Sequence, residues 1–287
     1  MAAYSDVHWW SNDGVRLHAR DYPGDPGAVP LLCVPGLTRN ARDYAAFAER
    51  WSGARRVIAV DLRGRGESGY AKDAMSYVPL TYVQDLEALL AEQGIGRFAM
   101  IGTSLGGIVT MLLARPARGR LAGALINDVG PEIEAGGLSR IRGYVGKASS
   151  WPTWLHAARA VEEANRDVYP DWGLQDWLAM AKRLYRVNTA GRVVLDYDMR
   201  IAEPFRVPGA ETGPDMWSAL AGLSGVPVAV VRGERSDLLG EKTAQRMMAA
   251  LPEAELVTVP RVGHAPTLAE PEAEAAVGRL LDRIDRG

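Results

Sequence analysis

Short, continuous apolar runs separated by segments of helical length are the feature that most constrains the fold of this chain. Such runs lie within residues 30–34, 56–60, 97–101 and 122–128. A strand covered on one face alternates apolar and polar residues, whereas a strand buried on both faces is apolar throughout. The pattern therefore predicts an α/β fold, in which a parallel sheet carries helices on both faces.

Further elements extend this sheet at both edges. Residues 7–11 and 15–20 predict an opening hairpin, because the intervening Asn12-Asp13-Gly14 is a typical turn sequence. The remaining predicted elements are helices at 41–51 and 81–93, a strand at 226–231, a helix at 241–251, a strand at 255–259 and a helix at 271–285.

The alternation stops between residues 131 and 214, which we interpret as a helical cap inserted into the sheet domain. The sheet domain itself is then expected at residues 1–130 and 215–287. The inserted segment is rich in tryptophan, which predicts either a small helical core or an aromatic lining over a binding pocket. The tryptophans in the segment or just beyond it are Trp151, Trp154, Trp172, Trp177 and Trp217.

Composition and charge exclude several classes of function. The 287 residues carry a formal net charge of −2, so no attraction to nucleic acid or to an anionic membrane is expected. We see neither a secretory signal nor an apolar run of the roughly 18 residues that a membrane span needs. The single cysteine, Cys33, lies in an apolar strand and is predicted to be a buried thiol. These features favour a soluble, cytoplasmic protein.

The sequence Gly102-Thr103-Ser104-Leu105-Gly106 lies between a predicted strand and a predicted helix at 107–114. A serine between two glycines at such a junction is typical of a nucleophile elbow, in which a tight turn lifts the hydroxyl above the sheet. Glycines suit these positions because larger side chains would collide with the turn or the helix. Ser104 is therefore the candidate nucleophile.

A serine hydroxyl is a weak nucleophile until a base takes its proton, and the chain has four histidines. His8 and His18 fall in the opening hairpin and His156 in the inserted segment, where structural or surface roles are expected. His264 directly follows the last predicted strand, at the sheet edge where α/β proteins place their sites. His264 is therefore the candidate base.

Four motifs of this chain together resemble those of the α/β-hydrolase fold superfamily over nearly the full sequence. The resemblance implies an eight-stranded, mostly parallel sheet with a helical cap inserted after the sixth strand. The motifs are Val34-Pro35-Gly36-Leu37, the segment Asp61 to Ser68, the elbow Gly102 to Gly106, and Gly263-His264-Ala265-Pro266 followed by Glu270-Pro271.

The resemblance also implies an oxyanion hole formed by the backbone amides of Leu37 and Leu105. Many relatives carry His-Gly where this chain has Pro35-Gly36. Because the donors are backbone amides, we expect this difference to leave the oxyanion hole intact.

Two aspartates compete for the role of the acid that orients His264. In many relatives the acid stands three residues after a glycine that follows the seventh strand. In this chain Ser236 stands three residues after Gly233, and Asp237 is the next residue. Asp128 instead ends the sixth predicted strand, where haloalkane dehalogenases and certain lipases of this fold carry their acid. Both satisfy the order serine, aspartate, histidine. We favour Asp128 because it closes an otherwise apolar strand, although either aspartate also suits a helix cap.

The remaining polar residues have structural as well as functional interpretations. Asp61 and Arg63 are interpreted as braces of a loop. Each arginine of the cap is either a ligand for a substrate carboxylate or part of a solvated helix face. The predicted substrate-binding residues are Trp151, Trp154, Arg142 and Tyr144, with Arg140, Arg159 and Arg166 as further candidates. We find no metal-binding pattern and no phosphate-binding loop, so no cofactor is expected.

The sequence therefore predicts a cofactor-free serine hydrolase that cleaves a small carboxylic ester, a lactone or a related carbonyl compound through an acyl-enzyme. The expected partner is a small-molecule substrate, and the oligomeric state is left open. Hydrolysis of a C–C or C–N bond in a ring-degradation intermediate is an alternative. Others are a non-catalytic receptor for a small ligand and cofactor-independent oxygenation or perhydrolysis. Specificity is expected to reside in the cap.

Overall fold

A central eight-stranded sheet organises the protein, for which the computed structural model describes residues 2–206 and 214–287. The strands are β1 (Ser5–Trp10), β2 (Arg16–Tyr22), β3 (Leu31–Val34), β4 (Val57–Asp61), β5 (Phe98–Thr103), β6 (Leu121–Asn127), β7 (Ser150–Trp151), β8 (Tyr185–Val187), β9 (Val193–Leu195), β10 (Val228–Gly233) and β11 (Glu255–Val259). The central sheet has the order β1-β2-β4-β3-β5-β6-β10-β11. β2 is antiparallel to both of its neighbours, and all later pairs are parallel, which confirms the predicted architecture.

Helices cover both faces of this sheet. The helices are α1 (Ala45–Trp51), α2 (Pro79–Glu92), α3 (Leu105–Leu113), α4 (Ala135–Tyr144), α5 (Trp154–Asn165), α6 (Leu174–Leu184), α7 (Met216–Ala221), α8 (Glu241–Ala250) and α9 (Pro271–Arg286). Phe47 of α1 and Leu280 of α9 are buried on one face of the sheet, and Leu86, Val109 and Met247 of α2, α3 and α8 on the other. Burying each of these side chains contributes about 1.5–3 kcal/mol, so the two apolar layers fix the sheet between them.

Most predicted elements are present with small shifts of their ends. The strand predicted at 226–231 begins and ends two residues later, and the helix predicted at 81–93 is α2. The helix predicted at 41–51 is divided into a 3-10 turn at Ala41–Tyr44 and α1. Cys33 is fully buried in β3, as predicted.

Residues 131–206, which we call the insertion, connect β6 to the second part of the sheet. They contain α4, α5 and α6, but also a three-stranded antiparallel sheet in the order β7-β9-β8 that the sequence did not predict. These strands have two or three residues each, which is too short for a visible alternation. The end of the predicted cap includes residues 207–213, which lie outside the described residues.

The insertion has its own apolar core and is also hydrogen-bonded to the sheet domain. Trp177 and Tyr169 are buried in that core. The amide of Gly137 at the start of α4 donates to the carbonyl of Asp237, at 3.1 Å. The amide of Asp198 donates to the carbonyl of Gly64 in the loop after β4, at 2.8 Å. The insertion is thereby fixed over the carboxyl edge of the sheet.

A bilayer crossing would need a long apolar helix, and none occurs within residues 2–206 and 214–287.

Candidate active site

The turn between β5 and α3 places Ser104 in an uncommon backbone conformation. Its φ is 55° and its ψ is −116°, a backbone conformation that residues other than glycine rarely adopt. The neighbouring glycines permit this turn, because a Cβ on Gly106 would lie 1.9 Å from the carbonyl oxygen of Val34 and one on Gly102 2.3 Å from that of Gly106. The amide of Ser104 donates to the carbonyl of Asn127, at 2.9 Å. The elbow predicted from the sequence is therefore formed by close backbone packing.

A chain of hydrogen bonds connects Ser104 to a buried carboxylate. The Oγ of Ser104 lies 2.9 Å from Nε2 of His264, and Nδ1 of His264 lies 2.8 Å from Oδ2 of Asp128. His264 is partly buried, and Asp128 is completely buried. In this geometry, one ring nitrogen accepts from the serine while the other donates to the aspartate.

The backbone at the end of β6 directs Asp128 toward the histidine. Asp128 has a φ of 59°, and its amide donates to the carbonyl of Val231, at 2.7 Å. Its second carboxylate oxygen accepts from the amide of Gly233, at 2.8 Å. Both oxygens of this buried carboxylate therefore have partners, which stabilises its charge in the protein interior.

Asp237, the competing candidate, does not contact the histidine. Both of its carboxylate oxygens accept from the guanidinium of Arg140 in α4, at 2.6 and 2.8 Å. The hydrogen bond from Arg140 holds the pKa of Asp237 below its ordinary value. The structure therefore places Asp237 in a partly exposed ion pair between the sheet domain and the insertion.

The loop that carries His264 is held on two sides. On the insertion side, Tyr169 donates its hydroxyl to the carbonyl of Ala265, at 2.6 Å. On the sheet side, the side-chain amide of Asn127 donates to the carbonyl of Pro266 at 2.8 Å and to the hydroxyl of Thr103 at 3.1 Å. Asn127 thus links the residue before the elbow serine to the loop after the histidine.

The oxyanion hole is predicted to be formed by the backbone amides of Leu37 and Leu105. Leu105 is the first residue of α3, and the first amides of a helix have no acceptor within it. Leu37 follows β3 and lines the same cavity as Ser104. Its carbonyl accepts from Nε of the fully buried Arg65, at 2.9 Å, which fixes the orientation of this peptide segment.

Ser104 and His264 open into a cavity of about 610 Å³ between the sheet domain and the insertion. Of the predicted substrate-binding residues, Trp151 and Tyr144 line this cavity, whereas Trp154 and Arg142 do not. Trp154 packs instead against the core of the insertion, and Arg142 is exposed. The cavity is large enough for a small organic molecule.

Most of the tryptophans form the core of the insertion rather than a pocket lining. Trp172 stacks on Tyr169 with ring centres 4.0 Å apart and packs against Trp177 at 4.9 Å. Trp217 lies outside this cluster and donates its indole N–H to Glu132 at 2.8 Å. Of the two alternatives for these residues, the structure mainly supports the helical core.

The other histidines and the motif 61–68 have structural contacts. His18 is buried between Asp61 and Asp6, His8 is exposed on β1, and His156 is exposed on α5. Arg63 is buried and pairs with Asp85 and Asp13, in agreement with its interpretation as a brace of the loop. Arg159 pairs with Glu162 on an exposed face of α5, and Arg166 is likewise exposed.

Several residues of the site were missed by the sequence interpretation. Arg39 and Arg183 line the cavity but lie in segments with no motif of their own. Asn127 was not predicted as a site residue, although a polar side chain at the end of an apolar strand is a usable signal. Arg65 lies in the segment Asp61 to Ser68 but was not predicted individually, because its contact with Leu37 depends on tertiary packing.

A sheet of this order, with an elbow serine at its carboxyl edge and a histidine after its last strand, defines the class of the α/β hydrolases. The family model described as the alpha/beta hydrolase family matches residues 31–277 of this chain. The chain therefore belongs to the alpha/beta hydrolase family, and by family it is a hydrolase.

Individual relatives agree with this assignment. A 3-hydroxybutyrate-oligomer hydrolase from Cupriavidus necator is 34% identical over 89% of this chain and 90% of its own length. A crystal structure of an alpha/beta hydrolase from Novosphingobium aromaticivorans is 56% identical, covers 99% of both chains and superposes with a TM-score of 0.94. A 2-succinyl-6-hydroxy-2,4-cyclohexadiene-1-carboxylate synthase from Salmonella paratyphi B is 27% identical over 77% of this chain and 83% of its own length.

Proposed function

We propose that the protein is a cofactor-free serine hydrolase that cleaves a small carboxylic ester through an acyl-enzyme. The observation that carries the proposal is the hydrogen-bonded chain Ser104–His264–Asp128, whose serine opens into the cavity. A serine in contact with a base, which is itself oriented by a third group, is the arrangement that nucleophilic catalysis requires.

In the proposed mechanism, Oγ of Ser104 attacks the ester carbonyl while Nε2 of His264 takes its proton. Asp128 accepts from Nδ1–H and stabilises the imidazolium that forms. The amides of Leu37 and Leu105 donate to the oxyanion of the tetrahedral intermediate. His264 then protonates the departing alkoxide, and a water molecule activated by the same histidine releases the acid from Ser104.

The first substrates to test are oligomeric esters of small hydroxy acids. The relative from Cupriavidus necator is named for the hydrolysis of 3-hydroxybutyrate oligomers. Monomers of a hydroxy acid are joined by ester bonds, which the proposed mechanism cleaves. A cavity of about 610 Å³ is of a size to admit a short oligomer.

Hydrolysis of a C–C or C–N bond in an acidic intermediate is the second candidate. Arg183 of the insertion lines the cavity together with Ser104, and a guanidinium in that position favours an acidic substrate. Turnover of β-diketones or amides under conditions in which matched esters are not cleaved would favour this candidate over the first.

The decisive experiment combines a fluorophosphonate probe with a panel of 4-nitrophenyl esters and 3-hydroxybutyrate oligomers. We expect the probe to add to Ser104 of the wild type and to stop ester hydrolysis. Ser104→Ala is expected to lose both labelling and at least about 10³-fold in kcat, because the nucleophile is gone. Ser139→Ala, which changes an exposed serine of α4, is the matched control and should retain both. Ester hydrolysis by Ser104→Ala at the wild-type rate would contradict the proposal.

A further inference from the structure

The cavity over Ser104 carries an excess of positive charge. Apart from the tyrosines and His264, the ionisable residues that line it are four cations and one carboxylate: Arg39, Arg140, Lys147, Arg183 and Asp43. The charge of Arg140 is offset by Asp237, and Lys147 is exposed. The unbalanced charge close to the site therefore belongs to the group of Arg39, Asp43 and Arg183.

Arg39 and Arg183 share the single carboxylate of Asp43 unequally. Arg39 binds both carboxylate oxygens, through Nη2 at 2.8 Å and through a shorter contact from Nε. Arg183 approaches Oδ1 only at 3.4 Å through Nε. Among the described residues, Asp43 is the one acidic partner of Arg183, so most of its N–H donors remain available to a ligand.

The backbone holds Arg183 in place at the end of α6. Its carbonyl accepts from the side-chain amide of Asn40 at 2.9 Å and from Nε of Arg42 at 3.1 Å. Asn40 and Arg42, which provide the two donors, follow Leu37 within five residues of the chain. Arg183 therefore belongs to the insertion but is fixed relative to the proposed oxyanion hole.

The first atoms of the Arg39 side chain lie close to the proposed nucleophile, Ser104. The position that a Cβ on Gly36 would take is 3.4 Å from Cγ of Arg39 and 3.6 Å from Cβ of Ser104. The side chain of Arg39 therefore starts close to Ser104, and Arg39, Asp43 and Arg183 all line the cavity into which the nucleophile opens.

The electrostatics of Arg183 also favour an anionic ligand. Burial lowers the pKa of its guanidinium, Asp43 opposes this effect, and the neighbouring charge of Arg39 lowers the pKa further. A bound anion would relieve both the desolvation and the repulsion between the two guanidinium groups. Since Asp43 already neutralises one of the two cations, a ligand with a single negative charge balances the group.

We propose that Arg183, supported by Arg39, binds a carboxylate of the substrate and makes the enzyme selective for monoanionic esters over neutral ones. A planar carboxylate matches the two parallel N–H donors of a guanidinium edge. This inference rests on the proposed ester hydrolysis and assigns a substrate class to the same cavity.

The test compares charged and neutral esters of the same shape. One pair is mono-(4-nitrophenyl) glutarate and its terminal amide, in which the charge lies on the acyl side. The other pair is 3-acetoxybutanoate and 3-acetoxybutanamide, in which it lies on the alcohol side. We expect the wild type to prefer the anionic member of at least one pair by about tenfold or more in kcat/KM.

Two substitutions then identify the residue responsible. Arg183→Gln is expected to lower the anionic-to-neutral ratio of kcat/KM by about tenfold, and Arg183→Lys to restore part of it. Arg159→Gln removes the same charge from an exposed helix face and should leave the ratio unchanged. Equal use of both members of both pairs by the wild type, or an unaltered ratio in Arg183→Gln, would overturn the inference.

A binding measurement separates this inference from the proposed function. Calorimetry on Ser104→Ala, which keeps the cavity intact, is expected to detect glutaramate but not glutaramide. Binding of glutaramate without any esterase activity of the wild type would retain the carboxylate site and refute the proposed hydrolysis. Ester hydrolysis together with equal affinity for the two ligands would refute the carboxylate site alone.

Discussion

The two aspartates that compete in the sequence are the same chemical group in opposite environments. Asp128 is completely buried, and its two oxygens accept from His264 and from the amide of Gly233. Asp237 has a side chain that is 40% exposed and forms a surface ion pair with Arg140. A buried carboxylate beside an imidazole stabilises the imidazolium much more than a solvated one does. This difference supports Asp128 as the proposed catalytic acid.

We therefore predict that Asp128→Asn lowers kcat for ester hydrolysis by about 10³–10⁴-fold, because the amide neither fixes the tautomer of His264 nor stabilises its charge. Asp237→Asn is the matched control and should change kcat by less than about threefold. Steady-state kinetics of the two folded variants decide the matter. A loss in Asp237→Asn as large as in Asp128→Asn would show that the structure assigns the wrong acid.

Tyr169 connects the insertion to the loop that carries His264 through one hydroxyl group, which donates to the carbonyl of Ala265 at 2.6 Å. We predict that Tyr169→Phe lowers kcat by about two- to tenfold, the worth of one net hydrogen bond, with a smaller change in KM. Tyr185→Phe is the control, because Tyr185 also lines the cavity but stacks on Trp151 through its ring. The prediction is wrong if the two variants have the same kcat.

At the scale of elements, α3 is the helix whose position matters most for the site. It begins directly after Ser104 and approaches the end of β3 so closely that residue 106 must lack a side chain. Helix α4 is different, because a Cβ on its Gly136 would have no atom within 4 Å. Packing thus requires glycine at position 106 in α3. Gly136 in α4 is not required by packing, and it only raises the conformational entropy of the unfolded chain.

We predict that Gly106→Ala destabilises the protein by about 3 kcal/mol or more, because its Cβ would overlap the carbonyl of Val34. Gly136→Ala should have no effect or stabilise by up to about 1 kcal/mol, since alanine favours the helix and meets open space. Urea unfolding of both variants measures the two free energies. Equal stability of Gly106→Ala and the wild type would contradict the packing described for the elbow.

At the scale of the whole molecule, one buried histidine joins three parts of the sheet domain. His18 on β2 contacts Asp61 at the end of β4 through Nδ1, at 2.7 Å, and Asp6 on β1 through Nε2, at 2.9 Å. Burial is the largest influence and lowers the pKa of His18, but the contacts with Asp61 and Asp6 together outweigh it. The pKa of His18 therefore lies above its ordinary value of 6.5.

A raised pKa in the folded state means that folding favours the protonated imidazole. The stabilisation from His18 is therefore complete below about pH 6.5 and is lost as the pH rises through its higher, folded-state pKa. We predict that the difference in unfolding free energy between the wild type and His18→Gln shrinks from pH 6 toward pH 9. Urea unfolding across this range measures it.

His8→Gln is the control for this pH dependence. His8 is exposed, and its pKa is lowered by its partial burial and by Arg16, so its removal should not produce the same trend. A difference between the wild type and His18→Gln that stays constant from pH 6 to pH 9 would show that His18 is not protonated preferentially in the folded protein.

The sheet could be predicted from the sequence because its signal is local. A short apolar run such as 98–101, bounded by turn residues, is typical of a strand that is covered on both faces. The division of 41–51 into a turn and α1 was not predictable in this way. Ala41 donates its amide to the carboxylate of Asp61, at 2.6 Å, and that contact spans twenty residues of sequence.

The sequence by itself determined the α/β architecture and the candidates Ser104 and His264, because strand burial and the elbow depend on neighbouring residues. Only the tertiary structure brought Asp128 rather than Asp237 to the imidazole, since both follow strands at the same sheet edge. It also brought together Arg39, Asp43 and Arg183. Arg39 and Arg183 lie far apart in the chain. No periodicity or motif in the sequence indicates that they line the same cavity.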